Sequence, residues 1–187
     1  MAKVSLRTLL VLMLAALPWG AQAEPDHDQE ARVWKMLEDS TWVAEGAEHP
    51  RRVVYMFTDM NCPYCARQWQ AMQPYLERED NVVQLRHIIV ALLRPTSLPK
   101  GAAVLAADNP TTAFADAERH YGQNRLAPLK DIPIEIENQI QANTILMMRL
   151  GLNGTPATLF RDPNGRLQVA PGVIRDEALA TYVFQVK

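Results

Sequence analysis

Apolar and polar positions change period several times along the chain, and each change predicts an element. Val53-Val54-Tyr55-Met56-Phe57-Thr58 is an unbroken apolar, β-branched and aromatic run, the pattern of a buried strand. Directly after it, Cys65, Trp69, Met72 and Leu76 recur at spacings of four, three and four, the apolar stripe of a helix in which Pro74 predicts a kink. Residues 81–90, Asn-Val-Val-Gln-Leu-Arg-His-Ile-Ile-Val, are β-branched with mixed alternation and predict a further strand. Upstream, Val33, Trp34 and Leu37 share one side of a short helix from Gln29 to Leu37, and Thr41 to Ala44 reads as a first, edge strand before a polar turn through Gly46 to Pro50. Trp34 and Trp42 are expected to anchor the core.

From Ser97 to Leu150 the composition shifts to alanine, polar and long aliphatic residues. Two short helices, Lys100–Ala107 and Thr111–His120, are separated by Asn109-Pro110, because proline disfavours helical geometry in the residue before it. A longer helix runs from Glu135 to Leu150 with Ile136, Ile140, Ile145 and Met148 inward, and Gly151 is placed to stop it. Thr158 to Phe160, the turn Asp162-Pro163-Asn164-Gly165, and Leu167 to Val169 predict an antiparallel hairpin. A terminal helix is expected from Asp176 to Val186, with Asp176 near its cap. Strand, helix, strand, helical insert, hairpin and helix make an α/β (α+β) layered fold, with the insert at about 97–150.

The N-terminus breaks this pattern in an informative way. Lys3 and Arg7 precede an apolar run from Leu9 to Leu17, and Ala21-Gln22-Ala23 follows, which is the order of a cleavable secretory leader over residues 1–23. The run is well short of the ~20 residues that span a bilayer, so no membrane anchor is expected. Residues 24–41 then form a linker-like segment, and 42–187 the main domain. The formal net charge is −2, and loss of the leader's two cations makes it more negative, which gives no case for nucleic-acid binding.

The chain holds two cysteines, Cys62 and Cys65, at the predicted strand-to-helix junction Cys62-Pro63-Tyr64-Cys65. A sulfur at a helix N-terminus faces unpaired backbone N–H groups and the positive end of the dipole, and both favour the thiolate. Cys62 is therefore the expected nucleophile, and Cys65, which opens the inward stripe, the buried resolving thiol. Pro63 suits the first helical position, where no N–H is required. A zinc site would need about four ligands, and His27, His49, His87 and His120 are scattered. An inert disulfide is the other alternative, but so short a loop restrains little unfolded-chain entropy. An oxidising compartment and a close dithiol favour redox exchange with no metal or organic cofactor, the electrons residing in the Cys62–Cys65 pair. His87 is read as a strand residue with a local partner rather than a base.

These residues resemble the thioredoxin superfamily in its periplasmic disulfide isomerase branch, DsbC and DsbG. Cys62-Pro63-Tyr64-Cys65, Trp69 on the next helix, Gly154-Thr155-Pro156-Ala157 and the stretch Lys100 to His120 carry the likeness. The resemblance implies a thioredoxin-like fold in the periplasm and a cis-proline loop, Thr155-Pro156, that holds substrate beside Cys62 together with Pro63 and Tyr64. It also implies cysteine-containing exported proteins as clients, disulfide reduction or isomerisation (and reduction of sulfenic acids) as the reaction, and a DsbD-like membrane reductase as electron donor. Dithiol oxidation in the manner of DsbA is the alternative, and a holdase with an incidental dithiol a third. The family's N-terminal dimerisation domain has no counterpart in the sequence, so a monomer, or a dimer unlike that of DsbC and DsbG, is expected.

Overall fold

The side-chain alternation of the central strand decides the layers. In the computed structural model, which describes residues 27–123 and 125–186, that strand is β2 (Arg52–Thr58). Val54 and Met56 join one apolar cluster while Tyr55 and Phe57 join another, as a period of two requires. Both faces are buried, which is why the run shows no polar alternation. The leader expected over residues 1–23 lies outside the described residues.

Among the described residues, five strands form one sheet in the order β1-β3-β2-β4-β5. β3 (Val83–Ile89) runs parallel to β2, with Val54 opposite Leu85, while β1 (Val43–Gly46) lies antiparallel at the β3 edge. β4 (Ala157–Arg161) and β5 (Leu167–Pro171) form the expected hairpin, β4 pairing antiparallel with β2. The edge strand starts two residues later than Thr41. Thr41 and Trp42 are held instead by Asn143 and by the Trp42 Nε1 bond to Glu38 O. β1 ends at Gly46, whose φ of +91° is left-handed and where a Cβ would sit 2.5 Å from Val83 O.

On one face α2 (Pro63–Leu76) lays Met72 and Leu76 against Val54, Met56, Val83 and Leu85. Pro74 sits in the last turn of α2, which continues to Leu76. On the other face Leu37 of α1 (His27–Glu38) and Met147 of α5 (Ile134–Arg149) cover Tyr55, Phe57 and Ile88. Trp34 is half-buried at the margin of this cluster rather than inside it, packing edge-on against Tyr55 with ring centres 5.1 Å apart. Trp42 is only half-buried and receives the Arg86 guanidinium 4.2 Å from its ring centre.

The insert forms α3 (Ser97–Leu105) and α4 (Pro110–Arg119), and Asn109 caps α4 by accepting from Thr112 N. Val104 and Phe114 join Trp69 and Ile89 in a third cluster. Gly101 lets α3 approach closely, since a Cβ there would lie 2.7 Å from Ile89 Cγ2.

Two sequence expectations are corrected. In α5 the inward residues are Ile140, Asn143 and Met147, while Ile145 and Met148 are 45% and 54% exposed. The apolar pattern misplaced the stripe because its middle member is polar: Asn143 Nδ2 donates to Thr41 O and Ile89 O, tying the helix to the sheet. The terminal helix is α6 (Asp176–Ala178) followed by a π-helical turn, Leu179–Val183, closed by Phe184 N donating to Leu179 O. Arg175, not Asp176, holds the cap position, and the Asp176 carboxylate accepts from the Tyr75 hydroxyl at 2.6 Å.

Candidate active site

The β2-to-α2 junction is rigid because one carboxylate organises it. Asp59, fully buried one residue past β2, accepts from Asn61 N (2.9 Å) and Ser97 Oγ (2.7 Å) through one oxygen, and from Leu92 N (2.8 Å) and Leu93 N (2.9 Å) through the other. The Asp59 carbonyl accepts from Cys62 N at 2.9 Å, so the same residue sets where α2 begins. Asn61 Nδ2 donates to Thr96 Oγ1 and Ser97 Oγ, and the Tyr121 hydroxyl donates to Asn61 O at 2.8 Å.

Cys62 is the N-cap of α2, with extended backbone, and its sulfur accepts from Cys65 N at 3.2 Å. Pro63 occupies the first turn, where the absence of an N–H costs nothing. Tyr64 is 58% exposed beside the sulfur. The Thr155-Pro156 peptide bond is cis, and the Cys62 thiol donates to Thr155 O at 3.3 Å. The structure thus brings all six sequence-predicted site residues to one locus. Pro156 is buried, and Thr155 Oγ1 has no hydrogen-bond partner among the described residues.

Both thiols are free and nearly closed off, Cys62 2% and Cys65 0% exposed, so environment separates them more than depth does. The hydrogen bond from the Cys65 thiol, opposed by burial and aided by the N–H groups of Cys65 and Tyr64, lowers Cys62 to about 6. Burial first, then the bond to Cys62, pushes the Cys65 thiol well up. A lowered folded-state value means that the Cys62 thiolate stabilises the folded dithiol form. That contribution is fully present above the ordinary value of 9.0 and is lost as pH falls through about 6.

Beneath the dithiol lies an acid that the sequence reading missed. Glu118 of α4 is 1% exposed, and Thr58 Oγ1 donates to its Oε1 at 3.4 Å. Burial, reinforced by the Cys62 thiolate, pushes Glu118 up to about 8. The signal was its place four residues after Phe114, in the inward stripe of the helix. Alongside it, Glu45 Oε2 accepts from Trp69 Nε1 at 2.7 Å and pairs with His87 Nε2 at 2.6 Å, which supplies the local partner expected of His87. Among the described residues no three His, Cys, Asp or Glu side chains converge as metal ligands.

Glu118 makes a stability prediction. Its raised value favours the protonated folded state, a contribution present below 4.5 and lost as pH rises through about 8. Glu118→Gln is expected to remove that loss, so that between pH 5 and pH 8 the variant gains roughly 3 kcal/mol on the wild type. Urea unfolding of both proteins in the same redox form checks this, and parallel pH profiles would contradict it.

A free sulfur capping a helix, a second buried thiol one turn on and a facing cis-proline, set on a mixed sheet with helices on both faces, define a thioredoxin-like fold. The chain belongs to the thioredoxin-like domain family, which it matches over residues 37–187. It is similar to the thiol:disulfide interchange protein DsbG of Pseudomonas aeruginosa, 38% identical over 148 residues that cover 79% of this chain and 57% of that protein. It is also similar to the protein of that name from Escherichia coli K12, at 32% over 141 residues, covering 75% and 56% respectively. The chain therefore spans a little over half the length of these curated relatives. Among solved structures, a periplasmic thioredoxin-like protein from Salmonella enterica serovar Typhimurium shares the fold with a TM-score of 0.64 at 21% identity, over 81% of this chain and 94% of that one.

Proposed function

We propose that this protein is a periplasmic thiol–disulfide oxidoreductase of the DsbG/DsbC type that reduces or isomerises disulfides in exported proteins. The observation that carries the reading is the opposed pair of thiols, Cys62 lowered to about 6 and Cys65 raised and buried behind it. At neutral pH Cys62 is mostly thiolate, the nucleophilic form. It attacks one sulfur of a client disulfide, forming a mixed disulfide and expelling the client's other sulfur as a thiolate. Cys65 then loses its proton and attacks Cys62 Sγ, releasing the client's second thiolate and leaving the Cys62–Cys65 disulfide. Two electrons have passed from the dithiol to the client. Thr155 and Pro156 hold the client strand beside Cys62, with Pro63 and Tyr64 on its other side. The helix-capping position keeps Cys62 a good leaving group. Once the mixed disulfide removes the Cys62 charge that helps hold Glu118 up at about 8, the Glu118 carboxylate, bonded to Thr58 beside Cys65, takes the Cys65 proton.

The oxidised pair is returned to the dithiol by a membrane reductase of the DsbD kind, and a sulfenic acid on a client is open to the same attack. The oxidase direction has one observation in its favour: the lowered Cys62 value stabilises the reduced enzyme, which raises its oxidising power.

Trapping tests the reading. Cys65→Ser cannot resolve the mixed disulfide and is expected to accumulate reductant-sensitive adducts with exported cysteine proteins, whereas Cys62→Ser forms none. Equal adduct yields from the two variants, or none from either, would contradict it.

A further inference from the structure

A cleft of about 190 Å³ opens beside Asn61 and carries basic side chains from the segment after β3 and from the insert. Its wall includes Asn61, the residue before Cys62, and Tyr121, whose hydroxyl is bonded to Asn61 O. Arg94, Lys100, His120 and Arg125 also line it. Asp116 pairs with His120 Nδ1 at 2.9 Å and with Arg125 at 3.3 Å, which offsets part of that charge. Arg94 and Lys100 have no ion-pair partner among the described residues. On a chain whose formal net charge is −2, this is a local concentration of cations in a cleft whose wall includes the residue before Cys62.

We propose that this cleft is a client subsite that takes an acidic side chain lying two or three residues from the client's reactive cysteine. The inference rests on the thiol–disulfide reading above. An extended chain advances about 3.3–3.6 Å per residue, so a client joined to Cys62 through its own sulfur brings a carboxylate two or three residues away to about 7–10 Å from that bond. From there it reaches past Asn61 to Arg94 and Lys100. Tyr121 connects cleft and dithiol, since its hydroxyl lies in the field of both Arg94 and Cys62. Charge complementarity of this kind selects partners and speeds encounter more than it adds affinity.

The test uses three peptides of one sequence, each a disulfide between its single cysteine and the same small neutral thiol, with Glu, Gln or Lys two residues from the cysteine. At low ionic strength the reduced wild-type protein is expected to exchange with the Glu peptide about five- to tenfold faster in kcat/KM, a preference that fades with added salt. In Arg94→Gln/Lys100→Gln the Glu-to-Gln ratio falls to about one, and in Arg94→Glu/Lys100→Glu a Lys peptide becomes preferred over the Glu peptide. Equal rates for the Glu and Gln peptides on the wild type, or a preference that survives both double variants, would overturn this proposal alone. Absence of exchange with every peptide would overturn the thiol–disulfide reading and the proposal together.

Discussion

Asp59→Ala is expected to destabilise the domain by about 3–5 kcal/mol, more than its single position in a loop would suggest. Four donors converge on this carboxylate: two backbone N–H groups from the segment after β3, one from Asn61, and the Ser97 hydroxyl at the start of α3. Truncation leaves all four short of a partner in a site closed to solvent, and each stranded group costs roughly 1–3 kcal/mol before relaxation. The same carboxylate joins the β2–α2 junction to the insert, so its loss also loosens the position of Cys62. For a domain of this size the melting temperature should fall by about 10 °C. Thermal or urea unfolding measures the change, and a loss below about 1 kcal/mol would show that water or rearrangement replaces Asp59 in full. Asp59→Asn, which keeps one carbonyl oxygen, is expected to fall between the two.

The second large effect is the asymmetry of the two sulfurs. At pH 7 a thiol near 6 is about nine-tenths ionised, an ordinary one only a few per cent, and one raised above the ordinary range hardly at all. Alkylation should therefore separate Cys62 from Cys65 by on the order of 10²-fold or more, through the ionisation difference alone. The two assignments share one hydrogen bond: the Cys65 thiol donates to the Cys62 thiolate, lowering one sulfur and raising the other. The asymmetry belongs to the pair, and removing either sulfur is expected to move the survivor part of the way back towards 9.0.

Much of this site was legible in the sequence because its chemistry is local. The buried run ending at Thr58, the stripe beginning at Cys65 and Pro63 at the first helical position fix a strand-to-helix junction without reference to the rest of the chain, and the N-cap role of Cys62 follows from it. The juxtaposition of Thr155-Pro156 with Cys62 is different in kind. The two segments are 93 residues apart, and the resemblance to a known family, not any period in the sequence, brought them together. Asp59 and Glu118 escaped for a related reason: each is a charged residue made tolerable by partners from distant elements, and apolar periodicity has no symbol for a satisfied buried acid. Asn143 misled in the same way, shifting the inward face of α5 away from Ile145 and Met148. The π-helical turn at Leu179–Val183 shows a further limit, since its hydrogen-bond register depends on packing against Val54 and Phe160 rather than on the composition of the turn.

Thiol–disulfide exchange at this site requires one sulfur ionised at neutral pH and the other held protonated beside it. Iodoacetamide alkylation of the reduced protein from pH 4 to 10, with the modified cysteine located by mass spectrometry and Cys62→Ser and Cys65→Ser run in parallel, measures this directly. The expected result is a wild-type profile with its midpoint near pH 6 and all early label on Cys62, and a Cys62→Ser protein that labels slowly at Cys65 with a midpoint displaced upward. A wild-type midpoint near 9, or equal labelling of Cys62 and Cys65 at pH 7, would contradict it.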